Sequence, residues 1–173
     1  MKRLRPFAVL AVVLAAVILG PAGCGIYSFS GTSIQSDVHS ICIEPVVNKA
    51  QKVNPSLANQ LTEALNDKFR KLTKLEQVQE DGDLDLLVTI ESYDVRATAV
   101  TANEVAAMNR LQVTVKVTFV NNKHTEDNLE NQSFAAYEDY DSNNSLDMVE
   151  SSLCETIVEK LVDDIFNATV AQW

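Results

Sequence analysis

Glycine, histidine, tryptophan and cysteine are all scarce in this chain. Its 173 residues include five Gly, two His, one Trp and three Cys. Only Gly25, Gly31 and Gly82 lie beyond residue 23. No glycine-rich loop is therefore present to cradle a phosphate, and no G-x-S-x-G or S-x-x-K sequence presents a nucleophile. His39 and His124 stand singly, and no Cys or His pair has the spacing of a zinc site. Cationic residues are few: the formal charge is −10, with 14 Lys and Arg against 24 Asp and Glu. Such a balance argues against nucleic acid as a partner, because phosphate backbones are bound by clustered Lys and Arg. The carboxylates fall in turns and on helix surfaces, which suits solvation better than paired acid–base work. This inventory points to a non-enzymatic protein with neither metal nor cofactor, acting by binding.

What is present begins with an export segment. Lys2, Arg3 and Arg5 precede an unbroken apolar run from Phe7 to Leu19, followed by Pro21, Ala22 and Gly23. This is the order of a secretory signal peptide. Thirteen apolar residues are fewer than the roughly 20 that a spanning helix needs. Small residues directly before Cys24 resemble a bacterial lipobox, although Pro21 stands where Leu is usual. Residues 1–23 are thus expected to be a lipoprotein signal peptide, and Cys24 a lipidated N-terminus. The blander reading is an ordinary signal peptide with a thiol nearby. Each buried acyl CH₂ contributes about 0.8 kcal/mol, so several chains on Cys24 make a stable anchor. Removing residues 1–23 takes away three cations and no acid, and the formal charge falls from −10 to −13. Export also admits a disulfide between Cys42 and Cys154, with two buried free thiols as the blander reading.

Residues 24–36 are small and polar and read as a linker; 37–173 reads as one domain. Residues 38–44 form a strand candidate ended by Pro45. Over 54–72, Leu57, Leu61, Leu65, Phe69 and Leu72 recur at helical spacing, with Asn54 as the expected N-cap and Pro55 at the first helical position. Lys68, Arg70, Lys71 and Lys74 complement the dipole at its end. A short strand at 75–79 is followed by the turn "EDGD" at 80–83, where Gly82 is expected to supply a positive φ. Residues 84–97 form a strong strand and 98–109 a loop. The clearest period-2 stretch is 110–120, with Leu111, Val113, Val115, Val117 and Phe119 on one face and Arg110, Gln112, Thr114, Lys116 and Thr118 on the other. A hairpin loop at 121–128 leads to a return strand at 129–140. A long amphipathic helix covers 145–170, with Leu146, Val149, Leu153, Ile157, Leu161 and Ile165 as its stripe. The fold class is therefore α+β: a two-layer sandwich with a mostly antiparallel or mixed sheet of about four strands against two helices. The face carrying Arg110 and Lys116 is left open.

Five stretches in order, "CGIYSFSGTSI", "VNPSLANQLTEALNDKF", "NRLQVTVKVTFVN", "QSFAAYEDYD" and "LVDDIFNATVAQW", resemble the LptE family of lipopolysaccharide-assembly lipoproteins over nearly all of the chain beyond residue 23. The resemblance implies a protein anchored to the outer membrane on its periplasmic side. It implies a 1:1 complex in which the protein plugs an LptD-like β-barrel, helps it fold, and binds lipopolysaccharide through basic residues. Lipid A carries phosphates, which pair with Arg and Lys. Arg96, Arg110 and Lys116 are the candidates for that site, against the alternative that they are solvated sheet residues with carboxylate neighbours. Ala106 and Ala107 in the 98–109 loop are the candidate barrel contact. A rival reading is a lipoprotein that activates a periplasmic cell-wall synthase. The linker, only about 12 residues long, favours a partner close to the membrane instead.

Overall fold

A computed structural model describes residues 34–52, 54–98 and 108–171. The signal segment, Cys24, and the loop residues Ala106 and Ala107 lie outside the described residues. In chain order the elements are β1 (Ser40–Ile43), β2 (Val47–Asn48), α1 (Leu57–Leu72), β3 (Glu76–Val78), β4 (Leu84–Thr98), β5 (Met108–Asn121), β6 (Leu129–Asp141) and α2 (Leu146–Thr169). The two-layer α+β expectation holds. The sheet, however, has six strands where about four were expected. β3 falls within the short strand expected at 75–79; β2 was not expected, and its two residues are too few to show an alternating pattern in sequence.

The strand order is β3-β1-β4-β5-β6, with β2 also paired to β4. β1 runs parallel to both β3 and β4, while β4, β5 and β6 form an antiparallel meander. Parallel neighbours need a crossover, and α1 supplies it between β1 and β3. Leu84, Leu86, Val88 and Ile90 of β4 and Leu111, Val113, Val115, Val117 and Phe119 of β5 are all buried. After Ile90 a bulge shifts the register of β4, so Tyr93 joins the core face out of strict alternation. Both helices cover this face. Leu57, Leu61, Leu65 and Phe69 of α1 meet Ile157, Leu161, Ile165 and Phe166 of α2 in one core, with the Phe69 and Phe166 rings edge to face at 5.1 Å. Leu72 leaves the expected stripe at 47% exposure, because it is the last residue of α1.

Two local expectations are corrected. The first helix starts at Leu57 and not at Pro55. The Asn54 carboxamide oxygen instead accepts the Ser56 N–H at 3.0 Å and the Ser56 hydroxyl at 2.8 Å. That local Asn turn competes with helix geometry for the same backbone groups. In the 80–83 turn the left-handed residue is Asp81, at φ 52°, and not Gly82. Gly82 is needed for space: a Cβ there would stand 2.5 Å from the Leu84 carbonyl oxygen and 2.7 Å from the Cys42 nitrogen. Cys42 and Cys154 are both buried and free, so the disulfide alternative falls away.

Candidate functional site

The helices cover one face of the sheet, so the alternate residues of β4, β5 and β6 form the second face. Register then decides which side chains meet. Arg96 lies directly opposite Arg110, Asp94 opposite Gln112 and Thr89 opposite Lys116. On the other flank Arg110 faces Asp139, Gln112 faces Tyr137, and Lys116 faces Ser133. The candidates Arg96 and Arg110 are thus brought together. Lys116 shares their face but stands six residues along β5 from Arg110, roughly 20 Å at strand rise.

The two guanidinium groups differ in availability. Arg110 is clamped in a two-pronged pair, its Nε 2.7 Å from Asp139 Oδ1 and its Nη2 2.9 Å from Oδ2. Its guanidinium also lies 3.7 Å from the centroid of the Tyr137 ring. Hydrogen bonding to Asp139 raises the Arg110 pKa, and the same contact holds Asp139 below the usual carboxylate range. Like charges directly opposite one another destabilise a sheet. Asp139 neutralises one of the pair, and Arg96 turns to Gln112, its Nη2 donating to Oε1 at 3.4 Å. Arg96 is exposed, and Lys116 makes no ion pair among the described residues. The donors of Arg96 are thus largely free, whereas the fork of Arg110 opens only if Asp139 is displaced. Asp139 and Tyr137 were not singled out from sequence. Asp139 is 29 residues from Arg110, and no local pattern links them.

The far end of the same hairpin is where the linker arrives. The Gln35 amide donates to Asp127 Oδ2 at 2.6 Å, and Ile34 packs against the core. His124 Nε2 lies 3.0 and 3.1 Å from the two Asp37 carboxylate oxygens. Hydrogen bonding to Asp37 raises the His124 pKa, and the same bond lowers that of Asp37. Nearby, Asp83 Oδ2 accepts the N–H groups of His39 at 2.8 Å and Ser40 at 3.3 Å, and Lys123 pairs with its Oδ1 at 3.1 Å. The His39 backbone bond comes first among the influences that lower the Asp83 pKa. This knot joins β1, β4 and the β5–β6 loop. It fixes the linker at the Leu84–Asn121 end of the β4–β5 pair, whereas Arg96 and Arg110 lie near the Thr98–Met108 end. Twelve residues of β4 separate Leu84 from Arg96, a rise of roughly 40 Å.

Among the described residues no group of three or more His, Cys, Asp or Glu is arranged to hold a metal ion, and no helix is long and apolar enough to cross a membrane.

A protein-family model described as "LptE: Lipopolysaccharide-assembly" matches residues 38–169. No curated protein sequence matches the chain. Among solved structures, a homolog of neuraminyllactose-binding hemagglutinin from Helicobacter pylori is similar at 11% identity, covering 80% of this chain and 87% of that one, with a TM-score of 0.53. A minor lipoprotein of Acinetobacter baumannii is similar at 16% identity, covering 74% and 89%, with a TM-score of 0.44. A lipoprotein of Neisseria meningitidis is similar at 16% identity, covering 75% and 99%, with a TM-score of 0.40. At 11% identity the likeness to the Helicobacter protein is one of fold alone.

Proposed function

Since the chain belongs to the LptE lipopolysaccharide-assembly family, we propose that it is a non-enzymatic lipoprotein that plugs an LptD-like β-barrel in a 1:1 complex, assists its assembly, and helps deliver lipopolysaccharide to the outer-membrane surface. In this reading acylated Cys24 holds the protein on the periplasmic side of the outer membrane. The observation that carries the proposal is the polarity of the sheet. The linker is tied down at one end, through Gln35, Asp37 and His124, and the Arg96–Arg110 pair lies at the other. With ten residue steps from Cys24 to Ile34, at most ~36 Å of chain reaches back to the membrane. The anchored end then faces the inner leaflet, and the arginines extend roughly 40 Å beyond it, along the route that lipopolysaccharide takes through a barrel.

A barrel lumen is polar, so its plug needs a compact core and a polar exterior. The open sheet face meets that requirement: Arg96, Gln112, Thr114, Lys116 and Asp139 lie on it, while the apolar alternates point to the helices. Ala106 and Ala107, in the segment beyond Thr98, are the proposed contact with the barrel wall. The test is a detergent pull-down from native outer membranes with a C-terminal tag, read by mass spectrometry. A stoichiometric large β-barrel is the expected result. A cell-wall synthase, or no barrel, refutes the proposal.

A further inference from the structure

The sheet ends on two edges of unequal length. β3, at one edge, has three residues; β6, at the other, has thirteen. The direction of the free backbone groups of β6 follows from bonds at the ends of β5. The Met108 carbonyl accepts from the Thr98 hydroxyl at 2.8 Å, and the Asn122 N–H donates to the Asp83 carbonyl at 2.9 Å, both toward β4. The Asn121 N–H donates to Asn128 Oδ1 at 2.7 Å, away from β4. Backbone groups alternate along an antiparallel strand. Even-numbered residues of β5 therefore bond to β4 and odd-numbered ones to β6. The ladder of β6 is made by Phe134, Ala136 and Glu138, opposite Val115, Val113 and Leu111. The N–H and C=O groups of Ser133, Ala135, Tyr137 and Asp139 point outward. Lys160 Nζ, 3.3 Å from the Tyr137 carbonyl oxygen, meets one of them from that side.

Long open edges are normally blunted by charge, proline, bulges or brevity. Here the blunting lies toward the ends of the strand: Asn131 is left-handed at φ 51°, beside a register shift, Glu138 and Asp139 carry charge, and Lys160, paired with Glu138, caps the Tyr137 carbonyl and must swing aside for a docked strand. Between them Gln132–Tyr137 has no charge and no proline, and Ala135 and Ala136 leave the backbone uncovered. A cleft of about 430 Å³ runs beside it, lined by Ala135, Ala136, Tyr137, Lys160, Asp163 and Asp164. We propose that the β6 edge from Ser133 to Asp139 is a strand-docking site that takes an extended segment of a partner polypeptide.

The surroundings define that segment. A strand added to an edge places alternate side chains on opposite faces. On the helix side these meet Asp164 and Asp163; Lys68 already holds Asp163 Oδ1 at 2.7 Å, so Asp164 is the carboxylate left to select Lys or Arg. On the open side they meet the Tyr137 ring, 47% exposed, which selects an apolar or aromatic residue. The assignment of the segment to the barrel protein rests on the function proposed above.

The test is a tagged full-length chain carrying Ala135→Pro, which deletes one outward N–H and no ladder bond. Ala135→Ser, which keeps the N–H, is the control. A photocrosslinking amino acid at position 135 reports the neighbour directly. The expected result is at least tenfold less barrel recovered with Ala135→Pro than with Ala135→Ser, an unchanged urea midpoint, and crosslinks from position 135 to the barrel. If Ala135→Pro fails to fold, Ala135→Lys blocks the edge by bulk and is read in the same way. Recovery of the barrel by the blocked variant at the parent level overturns the edge assignment and leaves the plug reading standing. A parent chain that recovers no barrel overturns both. Crosslinks from position 135 only to a second copy of this chain overturn the choice of occupant.

Discussion

Replacing Gly82 tests why a glycine stands in the turn that joins β3 to β4. One explanation is conformational, a positive φ that other residues resist; the other is close approach. Asp81 takes the left-handed conformation and Gly82 does not. A Cβ on residue 82 would meet the Leu84 carbonyl oxygen at 2.5 Å, the Cys42 nitrogen at 2.7 Å and the Cys42 Cβ at 3.2 Å. The first two are backbone atoms of paired strands, and no side-chain rotation relieves them. Gly82→Ala therefore forces β1 and the start of β4 apart. Overpacking of this kind costs about 1–3 kcal/mol. In a domain of this size that lowers the midpoint of thermal unfolding by roughly 2–12 °C. The discriminating variant is Gly82→Asn. Asn tolerates a positive φ better than Ala does, so the conformational explanation ranks Asn above Ala. Close approach ranks Asn below Ala, because it adds more atoms to the same space. Urea and thermal unfolding of the chain without residues 1–23, followed by circular dichroism, measures both. An Asn variant more stable than the Ala variant, or an Ala variant unfolding with the parent, refutes the steric argument.

Three other outcomes follow from the same geometry. Arg96→Ala should weaken lipopolysaccharide binding several-fold more than Arg110→Ala does, because Asp139 already occupies the Arg110 fork. Asp139→Asn should strengthen binding, and equal losses for the two arginine variants count against the site. In pH titrations of stability, Asp37, Asp83 and Asp139, held below the ordinary carboxylate pKa of 3.8, contribute above that value and lose their contribution as pH falls through their lowered folded pKa. His124, raised above 6.5 by Asp37, contributes below 6.5 and loses its contribution as pH rises through its higher folded pKa. His124→Gln should therefore flatten the urea-midpoint profile on the neutral to alkaline side and, because Asp37 loses the partner that lowers its pKa, at the acid end as well; a parallel profile counts against the His124–Asp37 pair. Finally, thiol labelling should find Cys42 and Cys154 unreactive in the folded domain and both free in denaturant, since Cys42 is 6% and Cys154 1% exposed. Recovery of a linked peptide pair contradicts the structure.

Much of the fold was legible because its signals are local. The stripe Leu57, Leu61, Leu65 and Phe69 and the alternation from Leu111 to Phe119 each fit within one element, and the structure buries all of these residues. The face carrying Arg110, Gln112 and Lys116 was legible for the same reason, since opposite faces of one strand are fixed by a period of two. β2 was not legible, because a strand of two residues shows no period and is fixed by its pairing with β4. The bulge after Ile90 escaped for a related reason: one extra residue changes which side Tyr93 faces, and only the partner strand defines what counts as extra.

The sequence by itself determined the two amphipathic helices, the three long strands, the single-sided core and the excess of acid, all of which depend on residue type and spacing along the chain. The tertiary structure decided what register and chain reversal control. It set Arg96 against Arg110, gave Arg110 to Asp139 across 29 residues, tied Asp37 to His124 across 87, and left β6 as the long open edge. Residues so distant in sequence meet only when strand order and register are set. Those follow from how the whole core closes, and no short window of the chain contains that information.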